Sequence, residues 1–437
     1  VVVRFVRSVK LPLTRRRFLS QTTTLSLAAW LGPRVFARGK SPNERLNLGI
    51  IGTANRARAN IDGVKGENIV ALCDIDENYL NKASNDFPSA QIFHDFRELL
   101  AVPELEAVVV STADHTHAVA TAAALRRGLH VYCEKPLTHS VHEARVIAGL
   151  AKESGKATQM GTQIHAGANY RRVVELIQGG AIGAVSECHV FCSKTWSGGE
   201  RPSETPEVPK NLSWDLWLGP APERPYHPTY LPANWRRWWD FGGGTIGDMG
   251  CHYLDLAHWA LGLRHPLTVA AEGPPVHAET TPKWIVVTWE HPARDTMPPV
   301  TVKWYDGGKR PAELLADAGI PEKKDGLLFI GEKGMLFADY EARLLLPADK
   351  FTDFAAPAPT IPNSIGHYAE WFKACREGTP TTCNFDYSGA LTEAVLLGNV
   401  AFRTGKKLDW DGAAARVTNA PEAAAFVERE YRKGWTL

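Results

Sequence analysis

Five short apolar runs alternate with helix-patterned segments across residues 46–160, and this alternation constrains the fold more than any other feature. The runs are Leu46 to Ile51, Ile69 to Cys73, Ala107 to Ser111, the run ending in Val131-Tyr132-Cys133, and Ala157 to Met160. Strands with no polar face are buried on both sides, and with helices between them they form a doubly wound parallel sheet. Ligands of such sheets bind beyond the carboxyl ends of the strands, so the loops after these runs are where chemistry is expected.

The first loop reads Gly49-x-x-Gly52-Thr53-Ala54-Asn55-Arg56-Ala57. Against the dinucleotide fingerprint G-x-G-x-x-G/A, Gly52 and Ala57 fit and Ala54 stands where the middle glycine belongs. A tight turn into a helix turns backbone N–H groups toward a pyrophosphate. Asp74 ends the second run, where a carboxylate meets the adenosine ribose and repels a 2′-phosphate; NAD is therefore expected, with Arg56 and Arg58 keeping NADP open. The third loop, Thr112-Ala113-Asp114-His115-Thr116-His117, is dense in imidazole and carboxylate. Its place between strand and helix favours capping and cofactor contacts over a metal, with Thr112, His115 and His117 as candidates. Gln163, after the fifth run, joins them.

The fourth loop is Glu134-Lys135-Pro136. Proline pushes the residue before it out of the helical region, so Lys135 stands at a strand end, either aimed at a ligand or solvated like most lysines. A second constellation follows the glycine run Gly242-Gly243-Gly244: Asp248, His252 and Asp255, spaced four and three apart, share one helix face. An imidazole flanked by carboxylates has the parts of a general base, and equally those of an ordinary acidic helix start with a satisfied histidine.

Together, Glu134-Lys135-Pro136 and Asp248-x-x-x-His252-x-x-Asp255 resemble the signature of the glucose-fructose oxidoreductase / inositol dehydrogenase (Gfo/Idh/MocA) family, over nearly the whole chain from Leu46. The resemblance implies an N-terminal Rossmann domain, a C-terminal α/β domain with an open, mostly antiparallel mixed sheet, a bound nicotinamide dinucleotide, and sugar or polyol substrates. Carried over, Lys135 would bind the reacting hydroxyl, His252 would exchange its proton, Asp255 would orient that histidine, and Asp248 would hold a neighbouring substrate hydroxyl. The cofactor set would be Gly49, Gly52, Thr53, Ala54, Asn55, Arg56, Asp74, Thr112, His115, His117, Glu134, Lys135 and Gln163. Some relatives oxidise a ring hydroxyl transiently and eliminate an aglycone, so an NAD-dependent glycoside hydrolase is the alternative.

The second half carries strand patterns at Ala184 to Ser193, Thr268 to Glu272, Trp284 to Trp289, Val300 to Tyr305, Gly326 to Ile330 and Met335 to Ala338. Several are half-polar, as in a sheet covered on one side, and the other face is expected to join subunits in a homo-oligomer. Trp235 to Trp239, with Arg236 and Arg237 between, either wall a sugar site or pack structurally. Basic and acidic residues nearly balance, 49 against 48, which gives no reason to expect nucleic acid. The seven cysteines lack framework spacing and are read as buried hydrophobes; no metal site is expected. Residues 1–40 read as a twin-arginine-type signal and linker, Arg15-Arg16-Arg17-Phe18-Leu19 preceding an apolar stretch too short to anchor in a membrane. A periplasmic protein with tightly held cofactor is the expectation, with a dinucleotide-binding domain over 41–164 and a substrate-binding and oligomerisation domain over 165–437.

Overall fold

The computed structural model describes residues 44–437. The export reading of residues 1–40 lies outside the described residues. From Leu46 to Leu437 the chain forms one compact unit built on two sheets.

The first sheet contains β1 (Asn47–Ile51), β2 (Asn68–Cys73), β3 (Gln91–Phe93), β4 (Ala107–Val110), β5 (His130–Cys133) and β6 (Thr158–Met160). All neighbours are parallel, in the order β3-β2-β1-β4-β5-β6. β4 is buried at every position, as a strand covered on both faces must be. The strand order reverses between β1 and β4, and that switch point opens a crevice at their carboxyl ends. The edge strand β3 is absent from the five expected runs. Its three residues are exposed or half-buried and carry no apolar period.

Helices α1 (Arg56–Val64), α2 (Glu77–Asp86), α3 (Asp114–Arg126) and α4 (Val141–Ser154) connect these strands, and α5 (Ala168–Gln178) leads out of the sheet. A capping box starts α4: Ser140 Oγ accepts from the Glu143 N–H, and the Glu143 carboxylate accepts from the Ser140 N–H. It fixes the far end of the loop that carries Lys135.

The second sheet has nine strands: β7 (Val185–Phe191), β8 (Thr268–Glu272), β9 (Val286–His291), β10 (Val300–Tyr305), β11 (Gly326–Gly331), β12 (Gly334–Ala338), β13 (Arg343–Leu346), β14 (Leu408–Asp411) and β15 (Arg416–Val417). β7 and β10 run parallel and the other neighbours antiparallel, the mixed, mostly antiparallel sheet expected. Three more helices are α6 (Gly244–Leu261), α7 (His367–Glu377) and α8 (Phe385–Thr404).

The last two helices return to the first sheet. Trp371 of α7 is fully buried among Leu48, Ile50 and Tyr132, and the Phe385 N–H at the start of α8 donates to Thr158 of β6. No helix among the described residues is long and apolar enough to cross a membrane.

Candidate active site

The turn after β1 is shaped by Gly52. Its φ of +87° is in the left-handed region, and a Cβ there would lie 2.6 Å from the Ser111 carbonyl oxygen at the end of β4. Thr112 lies against the same glycine, so the loops after β1 and β4 meet at the switch point. α1 starts at Asn55 with no side-chain cap and no acidic residue in its first turn, which leaves N–H groups for a phosphate. Asp74 is buried at the end of β2, accepting from Thr53 N–H at 2.8 Å, Thr53 Oγ1 at 2.9 Å and Asp76 N–H at 3.0 Å; burial raises its pKa. The uncapped helix start, tight glycine turn and carboxylate suit a dinucleotide. We expect Gly52→Ala to destabilise the fold by roughly 1–3 kcal/mol and to empty the site, read as the urea midpoint and as nucleotide released from the purified protein.

Several expected cofactor contacts are corrected. Gly49 lies within β1, where a Cβ would meet Leu99 at 2.7 Å, so it is a packing glycine. His115 is fully buried against Trp217 and Phe241, with Nε2 hydrogen-bonded to the Trp217 carbonyl; burial pushes its pKa down to about 3. His117 is buried with Nδ1 2.7 Å from the Pro136 carbonyl and Nε2 3.2 Å from the Thr112 carbonyl; burial lowers its pKa, and the neutral ring donates its one N–H at the shorter contact, to Pro136. It braces the Lys135 loop. Oε1 of Glu134 accepts from Arg56, Asn60 and Gln163, each at 3.0 Å, so Glu134 and Gln163 serve as a hub between the first loop, α1 and the segment after β6.

Lys135 follows β5 by two residues and is held at the loop's middle by that brace and at its end by the capping box. Its Nζ donates to Asp248 Oδ1 at 2.7 Å and to the Asp248 carbonyl at 2.8 Å, with both side chains about one-tenth exposed. The solvated-loop alternative is therefore set aside. Asp248 stands in the second turn of α6, whose start depends on close approach: a Cβ on Gly242 would lie 2.6 Å from Arg236 Cα. That approach brings Arg236 to the same carboxylate, Nε to Oδ1 at 2.9 Å, while the Trp196 indole N–H donates to Oδ2 at 2.7 Å. Burial opposes ionisation, but the Lys135 and Arg236 cations outweigh it and hold the Asp248 carboxyl far below the usual range. With these three donors on its oxygens, Asp248 fixes where the Lys135 ammonium stands.

His252, one helical turn on, is half-buried, and its ring has no hydrogen bond among the described residues. Burial, then the Lys135 charge, push its pKa down to about 3, so it is a neutral imidazole with a free acceptor nitrogen at neutral pH. Asp255 does not orient it. That carboxylate is fully buried and accepts from His165 Nδ1 at 2.9 and 3.0 Å and from the Tyr387 hydroxyl at 2.8 Å. Asp255 shares the stripe of Asp248 but lies two turns along α6, about 10 Å away, where the segment after β6 and helix α8 cover it.

Sequence reasoning missed two members of this face. Trp196 lies 52 positions from Asp248 in an irregular stretch with no period to mark it. Asp114, in the first turn of α3, is buried, and burial raises its pKa to about 7 against the pull of Arg236 and Lys135; its position in an acid- and imidazole-rich loop was the available signal. In the Trp235–Trp239 run the tryptophans are buried: Trp235 and Trp238 with Tyr230 and Phe241, Trp239 against Phe402. The run reaches the site through its arginines.

Comparison with known proteins gives matches over both halves. Residues 46–162 match a model described as an oxidoreductase family, NAD-binding Rossmann fold, and residues 168–437 one described as an oxidoreductase family, C-terminal alpha/beta domain. The 1,5-anhydro-D-fructose reductase of Ensifer adhaerens is 28% identical over 168 residues, 38% of this chain and 40% of that protein. The inositol 2-dehydrogenase of Burkholderia multivorans is 29% identical over 183 residues, 40% of this chain and 54% of that protein. The chain thus spans about half the length of the curated relatives it matches. Among solved structures, the WlbA dehydrogenase from Bordetella pertussis in complex with NADH and UDP-GlcNAcA has a TM-score of 0.59 at 18% identity, covering 84% of this chain and 99% of that one. GenD2 from gentamicin A biosynthesis in complex with NAD has the same score at 19% identity, covering 88% and 99%. At these identities the likeness is one of fold.

Proposed function

The chain belongs to the Gfo/Idh/MocA oxidoreductase family, with an NAD-binding Rossmann domain, and from that premise we propose that it oxidises a hydroxyl of a sugar or polyol by hydride transfer to NAD held between turnovers. The observation that carries this reading is the Lys135 ammonium locked on Asp248 one helical turn from the unpartnered His252 ring. The matched reductase and inositol dehydrogenase act, by name, on such substrates.

The nucleotide would rest on the Gly52 turn, the start of α1 and Asp74, and when bound supplies the hydride acceptor. As the carbinol C–H and O–H bonds break and C=O forms, negative charge develops on oxygen. Lys135 stabilises that charge, because Asp248 holds its ammonium in a water-poor site. His252 takes the proton, its neutral ring being the correct form for a base. Asp248, with Arg236 and Trp196 behind it, is a positioning residue.

The pH dependence follows from the two shifted groups. His252, titrating near 3, stays an acceptor across neutral pH, so it sets no limb there. Asp114 ionises near 7 and adds negative charge beside Lys135, offsetting the cation that faces the developing alkoxide; turnover should fall as pH rises through about 7. The inflection is expected to vanish in Asp114→Asn, and His252→Asn should lose roughly 100-fold in kcat at every pH. An unchanged profile in the first variant, or near-normal turnover in the second, would remove the assigned role.

The function itself is tested by denaturing the purified protein, identifying the released nucleotide, and following nicotinamide absorbance of the loaded protein against sugars and polyols. No nucleotide, or aryl-glycoside cleavage without net reduction, would overturn the net-oxidoreductase reading.

A further inference from the structure

Around Asp248 and His252 the structure gathers more cations than its acids answer. Lys135 and Arg236 share one oxygen of Asp248, and Arg56 pairs with Glu134. Two further cations have no acidic partner among the described residues. Arg237 is half-buried, and its Nε is buried without a hydrogen bond. Lys194 is exposed just beyond β7, two positions before Trp196, whose indole N–H reaches Asp248.

Trp196 draws this group together. The Arg236 and Arg237 guanidinium carbons lie 5.5 and 5.8 Å from its ring centre, and its indole N–H is committed to Asp248. Elsewhere several buried or half-buried arginines meet carboxylates, Arg171 with Glu370 and Arg429 with Glu143, while Arg294 and Arg403 are half-buried with no ion-paired acid among the described residues but lie away from this face. A guanidinium drawn partly out of water beside a reactive face, with no acid to meet it, is a desolvation cost that an incoming anion offsets.

We propose that the sugar accepted here carries an anionic group, a carboxylate or a phosphate or sulfate ester, held by Arg237 and Lys194 on the Trp196 side of the site. The inference rests on the sugar-oxidoreductase reading and narrows its substrate class. Guanidinium presents a fork of N–H donors matched to an oxyanion, the Lys194 ammonium adds a mobile charge, and the Trp196 ring offers a flat wall to the apolar face of a sugar. The anionic group takes no part in bond changes. It orients the ring so that one hydroxyl faces Lys135 and His252.

The test uses the full-length NAD-loaded protein and sugar pairs that differ in one charge: glucose against glucuronate, galactose against galacturonate, glucose against glucose 6-phosphate, galactose against galactose 6-sulfate. Tryptophan fluorescence reads binding and nicotinamide absorbance reads turnover. The anionic member of at least one pair is expected to bind roughly 10- to 100-fold more tightly than its neutral partner, with the advantage shrinking as salt is added. Which pair shows it separates carboxylate from phosphate or sulfate. Arg237→Gln should remove most of that advantage, raising KM more than it lowers kcat, and Arg237→Lys should restore part of it.

Equal binding within every pair, or an Arg237→Gln variant that retains the preference for the anion, overturns the inference. An anion preference in binding without reduction of the nucleotide by any member would leave the anion site standing and count against the redox reading. Thus the two failures are distinguishable.

Discussion

Replacing Lys135 with methionine is expected to lower kcat by roughly 10²- to 10⁴-fold while the nucleotide stays bound. The side chains have similar length and apolar volume, so the change removes the ammonium and little else. Asp248 loses one donor but keeps Arg236 at 2.9 Å and the Trp196 indole at 2.7 Å, so its carboxylate is not left buried and unpaired. The Gly52 turn and Asp74 are untouched. Turnover by nicotinamide absorbance, beside nucleotide released on denaturation, separates lost chemistry from a lost cofactor. Near-normal turnover would show that Lys135 does not bear on the developing alkoxide.

Asp255→Ala is expected to act on stability, lowering it by about 3–5 kcal/mol, the usual consequence of breaking a buried pair from one side. The substitution strands His165, stacked on Trp259 at 4.0 Å between ring centres, and takes the carboxylate partner from the Tyr387 hydroxyl, which keeps the backbone carbonyl of residue 255 at 2.9 Å. Tyr387→Phe, which removes one neutral donor, should cost about 1 kcal/mol. Urea midpoints measure both. A variant at Asp255 that unfolds like the parent but no longer turns over would restore the catalytic role that its spacing from His252 implied.

The fold was legible because its signals are local. β4 and β5 are read from unbroken apolar runs, and the Lys135 turn from the proline that follows it. Gly52 and Asp74 are marked by their distance from strand ends. The helix carrying Asp248 and His252 is read from a glycine run and an i, i+4 spacing. β3 was illegible because three exposed or half-exposed residues carry no pattern, and β14 and β15 because such short strands exist only where a partner is already in place. Gly49, His115 and His117 were assigned to the cofactor for standing near strand ends; strand proximity does not say which way a side chain faces.

Taken alone, then, the amino-acid order determined the parallel sheet, the strand-end lysine and the Asp248–His252 face. Period and turn chemistry act over a few residues, and a reader can follow them without coordinates. Only the tertiary structure decided what those groups meet. Lys135 reaches Asp248 across 113 positions, and Trp196 reaches it across 52. Asp255, on the same helix stripe, turns out to serve His165 and Tyr387. Hydrogen bonding and desolvation depend on which loop closes over which helix, and a stripe of spacing i, i+4, i+7 runs under different neighbours at each turn. That closure sets Lys135 on Asp248 and, among the described residues, leaves the His252 ring without a hydrogen bond and Arg237 without an acid beside the site.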